Sequence, residues 1–404
     1  MNVGVVAFVA TALMLTGCSG DDDGSGDAAT GDPQQTSSTS AVTVPEVEEF
    51  TGTVEEFYEV PDPLPTGEPG ALIRTMPLEA AEGEAASRIM YLSTDADGDS
   101  RAATGVVYYP TEAPPEDGWP VVAWAHGTSG LASQCAPSLT PEVPPTFGAQ
   151  GVRVAADYIG LGPIGEIHPY LSAVAEGHAM IDSVAAVQSM PEVNAGSRWV
   201  VAGISQGGHA ALVTNEMAAD RLPDSELVGA VAYAPASQLG ESYGDEIQTR
   251  AVSALVLFSM AAEDPKVDPA DYLANDALEP VRAAVEDGCS NDMIDSLVPL
   301  AMSDDLFTQD PRTSPLGEEW LAENDPGQTA SPAPLLLVQG GQDILVLPAR
   351  TDALEQRLCS VGQILHRIDL PEAGHDSSVM DLSESEVSAW IDARFAGEPA
   401  PADC

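Results

Sequence analysis

Hydrophobic and polar positions change their period along the chain, and each change predicts a different kind of element. Two strand-like runs, Ser87–Ser93 and Ala103–Tyr109, flank the turn-rich segment Thr94–Ser100, which predicts an antiparallel hairpin. The apolar runs that follow are continuous, as is typical of strands buried on both faces of a parallel sheet. The predicted strands are Val121–Ala125, Val152–Ala156, Trp199–Ala202, Leu227–Ala234, Pro334–Gln339 and Ile364–Leu370.

Helical patterns alternate with these strands. Helices are predicted over Leu171–Met190, Gln206–Asp220 and about Glu384–Phe395. Strands alternating with helices indicate an α/β protein with a mostly parallel, doubly wound sheet, preceded here by an antiparallel hairpin at its edge.

Residues 238–330 interrupt this alternation and contain no clear buried strand. Helical patterns cover Ile247–Ala262, Leu278–Asp287 and Met293–Leu300, so we interpret the region as a helical cap inserted over the carboxyl edge of the sheet. The run Val252–Met260 also fits a strand, and its local pattern leaves that alternative open.

The amino-terminal segment differs in kind from the rest. Val3–Leu15 is apolar but too short to span a bilayer, which predicts a signal peptide over residues 1–17. The run ends in Leu15-Thr16-Gly17-Cys18, which resembles a bacterial lipobox and implies lipid attachment at Cys18. The alternative is an ordinary secretory signal with an incidental cysteine. Residues 18–46 are acidic and of low complexity, which predicts a flexible tether before a folded domain over residues 47–404.

The charge balance limits the possible partners. Among 404 residues, 64 acidic and 14 basic side chains give a formal net charge of −50. Such a surface repels nucleic acid and is not attracted to anionic lipid, because both need clustered basic side chains. It is compatible with a soluble, aggregation-resistant surface or with adaptation to high salt.

The cysteines fit an exported protein. Besides Cys18, the chain contains four cysteines, and in an oxidising compartment these predict two disulfides among three possible connectivities. Their wide spacing argues against a zinc site, which would have close cysteine pairs. The four are Cys135, Cys289, Cys359 and Cys404.

The segment Gly203-Ile204-Ser205-Gln206-Gly207 is the strongest chemical signal. A strand leads into it and a helix leads out, as in the nucleophile elbow of the α/β-hydrolase fold. Glycines two residues on either side allow the sharp turn that lifts the serine hydroxyl out of the sheet edge. The context therefore predicts that Ser205 is a nucleophile.

A serine nucleophile needs a histidine base and an acid that orients the base, in the chain order Ser, Asp or Glu, His. Of the six histidines, the one in a loop after the last strand is His375. Asp343 follows the strand Pro334–Gln339 and is the predicted acid, with Asp264 as the alternative. The remaining histidines precede the serine or lie within a helix or strand: His126, His168, His178, His209 and His366.

Two backbone N–H groups are needed to stabilise a developing oxyanion. One is predicted at Gln206, the residue after the nucleophile. The other is predicted at Thr128, where the flexible Gly127 lets the amide turn towards the site. His126 is then expected to brace this loop.

The chain also resembles the secretory lipase family, of the fungal lipase A-like type with many actinobacterial members, within the α/β-hydrolase superfamily. The matching segments, in chain order, are Ala125-His126-Gly127-Thr128, Gln134-Cys135-Ala136-Pro137-Ser138, Asp157-Tyr158-Ile159-Gly160-Leu161-Gly162, His168-Pro169-Tyr170, the elbow, Asp343 and His375. Ile204 departs from the family, which often has an aromatic residue there.

The resemblance implies hydrolysis of acyl esters or lipids by a Ser-Asp-His triad beneath a helical cap, with no metal or cofactor. It also implies the disulfides Cys135–Cys289 and Cys359–Cys404. Three other functions remain as alternatives: an acyltransferase using the same triad, a serine peptidase, and a non-catalytic binding lipoprotein at the cell surface. We expect the protein to be exported and anchored at the cell surface through Cys18, or alternatively to be secreted.

Overall fold

A twisted, mostly parallel sheet organises the computed structural model, which describes residue 47 and residues 49–404 except 149, 242–245 and 304. The predicted signal peptide, Cys18 and the tether lie outside the described residues. The strands are β1 (Leu72–Leu78), β2 (Glu84–Thr94), β3 (Ser100–Pro110), β4 (Trp119–Ala125), β5 (Val152–Ala156), β6 (Ala195–Ile204), β7 (Glu226–Tyr233), β8 (Leu335–Gly340) and β9 (Leu365–Leu370).

The strand order in the sheet is β1-β2-β3-β5-β4-β6-β7-β8-β9. β1, β2, β3 and β5 pair antiparallel, whereas β5, β4, β6, β7, β8 and β9 pair parallel. The predicted α/β class and the antiparallel hairpin are therefore confirmed. β1 was not predicted, because its residues are only partly buried and an edge strand need not carry a continuous apolar run.

The helices of the described chain flank the sheet or lie between its strands. They are α1 (Val54–Phe57), α2 (Ala173–Gln188), α3 (Gln206–Arg221), α4 (Glu246–Glu263), α5 (Pro269–Tyr272), α6 (Leu278–Asp287), α7 (Ser290–Ala301), α8 (Pro315–Asn324), α9 (Pro348–Val361), α10 (Ser378–Asp381) and α11 (Glu384–Phe395). α9 was not predicted, since it has many polar and charged residues and little of its surface is buried.

The sheet is covered on both faces, which explains its continuous apolar strands. In β4, Val121 and Ala123 belong to one hydrophobic cluster, and Val122 between them belongs to another on the opposite face. Successive side chains of a strand point to opposite faces, so both sets must be apolar when both faces are buried.

Five helices, α4 to α8, lie between β7 and β8 and supply most members of one hydrophobic cluster. Val252–Met260 lies inside α4, so the alternative of a strand there is wrong. Leu255 and Phe258 of α4 belong to this cluster together with Leu297 of α7. None of the helices in the described residues combines the length and apolar character needed to cross a membrane.

Candidate active site

The turn from β6 into α3 places Ser205 in a strained backbone conformation, with φ 59° and ψ −115°. A Cβ on Gly203 would lie 2.2 Å from the Gly207 carbonyl oxygen, and one on Gly207 would lie 2.0 Å from the Ala125 carbonyl oxygen. Both obstacles are main-chain atoms, so both positions require glycine. The close approach of α3 to β4 holds the serine at the carboxyl edge of the sheet.

His375 lies between Ser205 and Asp343. Its Nε2 is 2.9 Å from Ser205 Oγ, and its Nδ1 is 2.7 Å from Asp343 Oδ2. The loop after β9 carries the histidine, and the loop after β8 carries the aspartate. The three residues are distant in sequence, but β6, β8 and β9 are parallel strands of one sheet that end at the same edge.

The Asp343 side chain is fully buried and is held by the backbone of its own loop. Its Oδ1 accepts hydrogen bonds from the amides of Leu345 at 2.9 Å and Val346 at 2.8 Å. Its Oδ2 accepts the His375 Nδ1–H and a longer hydrogen bond, 3.5 Å, from Gln339 Nε2. The bond from Nδ1 fixes the tautomer with Nε2 unprotonated and facing the serine.

The alternative acid lies elsewhere. Asp264 follows α4, and its carboxylate accepts the backbone N–H of Lys266 at 2.9 Å. Its Oδ2 is 3.6 Å from Lys266 Nζ. The structure therefore brings Asp343, and not Asp264, to His375.

Of the two predicted oxyanion donors, Gln206 lies within the elbow and Thr128 lies in the loop after β4. Gln206 is the first residue of α3, where the first turn leaves its amides without helical acceptors. Within the described residues, neither the Gln206 amide nor the Thr128 amide donates a hydrogen bond to the protein. Thr128 Oγ1 contacts the hydroxyl of Tyr170 at 3.1 Å. Burial raises the pKa of Tyr170 to about 12, so that hydroxyl keeps its proton.

His126 is part of the loop that carries Thr128. Its Nδ1 lies 2.7 Å from the Gly127 carbonyl oxygen, and its ring stacks on Tyr158 with centroids 4.3 Å apart. Burial lowers the pKa of His126 to about 4, so the ring is neutral at pH 7. The ring therefore supports the loop without adding charge to the site.

One buried acidic residue near the elbow, Glu176, was not predicted to have a role in the site. Glu176 of α2 is fully buried, and its carboxylate bonds to the side chains of Gln206 and His209. Sequence reasoning missed it because an acidic residue in an Ala-rich helix is ordinarily exposed. The signal that could have revealed it is the mostly apolar character of α2 on all its sides, because such a helix is buried almost all round.

A cavity of about 930 Å³ opens onto Ser205 and His375, within the usual range for small-molecule sites. Its wall includes Val252, Leu255 and Val256 of α4, so the inserted helices face the candidate nucleophile across it. Within the described residues, no cluster of three or more metal-ligating side chains is present.

The described cysteines form two disulfides. Cys135–Cys289 joins the segment after β4 to the start of α7, and both of its cysteines line the cavity. Cys359–Cys404 joins α9 to the carboxyl terminus.

The sheet topology, the elbow and the inserted helices define an α/β-hydrolase fold. The family model described as secretory lipase matches residues 146–403, and the chain belongs to that family.

Solved structures share this fold at low sequence identity. Candida antarctica lipase A in its closed state aligns with a TM-score of 0.70 and 15% identity, covering 86% of this chain and 87% of that one. The rice cell wall degrading esterase LipA from Xanthomonas oryzae aligns with a TM-score of 0.64 and 18% identity, covering 82% of this chain and all of that one.

A relative in Mycobacterium tuberculosis is described as a probable inactive lipase. It is 22% identical over an alignment of 379 residues that covers 85% of this chain and 82% of that protein. Membership of the family therefore does not by itself establish turnover.

Proposed function

We propose that this protein is a carboxylic ester hydrolase, of lipase or esterase type, that works through a covalent acyl-enzyme on Ser205. The observation that carries the proposal is the unbroken hydrogen-bond chain from Ser205 Oγ through His375 to the buried Asp343. This chain stands at the wall of a largely apolar cavity. An apolar cavity beside a nucleophile favours an acyl chain as the bound part of the substrate.

The reaction begins when Ser205 Oγ attacks the ester carbonyl carbon and its proton passes to His375 Nε2. The resulting imidazolium is stabilised by the Asp343 carboxylate at Nδ1. The tetrahedral intermediate collapses when the leaving alcohol takes the proton from Nε2. Water, deprotonated by the same nitrogen, then cleaves the acyl-enzyme and regenerates the serine.

Gln206 and Thr128 supply the backbone N–H groups for the oxyanion. The amino-terminal end of α3 adds the positive end of its dipole, which favours the charge that develops next to Ser205. These donors need no movement of charge in the protein during the reaction, because main-chain dipoles are fixed by the fold.

The first experiment compares Ser205→Ala with Ser253→Ala on p-nitrophenyl esters from short to long acyl chains. Ser253 also lines the cavity, but its hydroxyl donates to the Thr249 carbonyl at 2.7 Å and meets no histidine. We expect Ser205→Ala to abolish turnover and Ser253→Ala to keep it. Retained turnover in Ser205→Ala would refute the assignment.

A fluorophosphonate probe separates this enzyme from an inactive relative or a non-catalytic binding lipoprotein. Such a probe labels an activated serine, so we expect covalent labelling of Ser205 and none in the alanine variant. Product analysis with an added alcohol separates hydrolysis from acyl transfer. An unlabelled wild-type serine would favour the binding lipoprotein.

Family membership and the two disulfides fit an exported protein. We further propose that residues 1–17 are removed as a signal peptide and that Cys18 is lipidated. Residues 18–46 would then tether a domain of residues 47–404, in which 238–330 cap the site, to the membrane. Cys18→Ala should abolish incorporation of labelled palmitate. A wild type that takes up no palmitate, or a Cys18→Ala variant that still takes it up, would exclude the anchor at Cys18.

A further inference from the structure

Beneath the elbow, the carboxylate of Glu176 is fully buried and accepts three hydrogen bonds. Oε1 accepts from the Leu171 backbone N–H at 3.0 Å and from Gln206 Nε2 at 2.8 Å. Oε2 accepts from His209 Nδ1 at 2.6 Å. A buried carboxylate is costly unless it is paired and hydrogen-bonded, so this arrangement is a specific one.

His209 is the cation of this pair. Its Nδ1 faces the Glu176 carboxylate, and its Nε2 lies 2.8 Å from the Asn324 carbonyl oxygen. The carbonyl oxygen can only accept, so Nε2 carries a proton, and we assign the second ring proton to Nδ1, where it faces the Glu176 carboxylate. Burial alone would lower the pKa of His209, but the charge and hydrogen bond of Glu176 outweigh it and raise the pKa.

His168 is the neutral counterpart. Its Nδ1 lies 2.8 Å from the Ile159 carbonyl oxygen and therefore carries the proton, which leaves Nε2 as an acceptor. Gln206 Nε2 lies 2.8 Å from that nitrogen. The two hydrogens of the Gln206 amide are thus divided between Glu176 Oε1 and His168 Nε2. The reversed amide would place its oxygen against a carboxylate, so the orientation is determined.

We propose that Glu176 and His209 form a buried positioning pair that clamps the Gln206 side chain and so aims the Gln206 backbone N–H at the oxyanion. The inference rests on the proposed hydrolase function, in which that amide stabilises the transition state. Glu176 lies on α2, and Gln206 and His209 lie on the adjacent helix α3. The clamp therefore fixes the first turn of α3 against α2.

The pairing also has an electrostatic role. An unpaired negative charge at Glu176 would oppose the negative charge that develops beside Ser205 during attack. The imidazolium of His209 cancels that charge locally while the carboxylate keeps its hold on Gln206. Neither side chain lines the cavity, so both act through the backbone amide.

The most direct variant is Gln206→Met, which leaves the backbone N–H in place and removes the clamp at similar volume. We expect kcat to fall about 10- to 100-fold with little change in KM, since a misaimed donor weakens transition-state binding only. Affinity for a trifluoromethyl ketone, which forms a tetrahedral adduct with the serine, should fall by the same factor. Glu176→Gln should behave in the same direction.

His178→Gln is the matched control. His178 lies on α2 like Glu176, but its Nδ1 contacts the Thr94 carbonyl oxygen at 2.9 Å, away from Gln206. We expect wild-type kcat and inhibitor affinity in this variant. Equal losses in the control and in Gln206→Met would show a general packing effect and overturn the proposal.

Nitrogen NMR of the His209 ring gives a readout that does not depend on activity. We expect both ring nitrogens of the wild type to be protonated at pH 7, and one proton to be lost in Glu176→Gln. A neutral His209 in the wild type would overturn the proposal. A Gln206→Met variant with the kcat of the wild type would also overturn it. Failure of the hydrolase function is a different result, in which the wild-type protein is no more active than Ser205→Ala.

Discussion

The two disulfides have separable effects, and comparing their removal tests how the site is held. The bonds close independent loops, with sequence separations of 154 residues for Cys135–Cys289 and 45 for Cys359–Cys404. The perturbation is a double alanine variant at each pair, with the other pair left intact.

Loop-closure entropy sets the expected magnitudes. Cross-linking restricts the unfolded chain by about 5 kcal/mol for the longer loop and about 4 kcal/mol for the shorter one. The two variants should therefore differ from each other by only about 1 kcal/mol in the free energy of unfolding.

Activity should respond very differently. Cys135 and Cys289 line the cavity, and next to them the Ser290 amide donates to the Ser129 carbonyl at 2.7 Å. Ser129 adjoins Thr128, so loosening this link releases a predicted oxyanion donor. We expect kcat/KM to fall about tenfold, which corresponds to about 1.4 kcal/mol of transition-state stabilisation.

The assay combines urea unfolding of both variants with p-nitrophenyl ester kinetics at a temperature where both remain folded. The Cys359/Cys404 variant should lose comparable stability but keep kcat/KM within about twofold, since an effect below about 0.5 kcal/mol is expected away from the site. If that variant loses as much kcat/KM as the Cys135/Cys289 variant, the reasoning is refuted.

Three further outcomes are expected. Gly207→Ala should destabilise the fold by about 3 kcal/mol, because the new Cβ would lie 2.0 Å from the Ala125 carbonyl oxygen. Thermal unfolding measures this loss against the control Gly240→Ala, where the added Cβ meets nothing within 4 Å. Equal melting temperatures of the two variants would contradict the prediction. Asp343→Asn should fold normally but lose about 10⁴-fold in kcat, because the histidine tautomer is no longer fixed; a variant within tenfold of wild type would exclude Asp343 as the acid. Burial lowers the pKa of His126 from 6.5 to about 4. Between these two pH values the unfolded state binds a proton at His126 that the folded state does not bind, so stability is lost as the pH falls from 6.5 to about 4. This loss is about 3 kcal/mol, and urea unfolding at pH 7 and pH 4 should show it in the wild type but not in His126→Asn.

The sequence alone determined the alternation of strands and helices and the position of the elbow. These features depend on local rules: continuous apolar runs require burial on both faces, and glycines mark turns that a side chain would obstruct. The chain order of the fold then pointed to Asp343 and His375, which the structure brings together with Ser205. Their catalytic roles remain predictions.

Elements with weak local patterns were not predicted. β1 is an edge strand that is only partly buried, and α9 carries many polar side chains, so neither has the strong apolar period that would reveal it. In both, contacts with the neighbouring strands select the structure.

Only the tertiary structure decided which of the side chains beneath the elbow carry a charge. Glu176 and His209 are 33 residues apart, and His209 and Asn324 are 115 residues apart. Whether a carboxylate or an imidazole carries charge depends on how much water the fold removes and which groups it supplies in exchange. Both are properties of distant segments packed together, so no local pattern in the chain could have determined them.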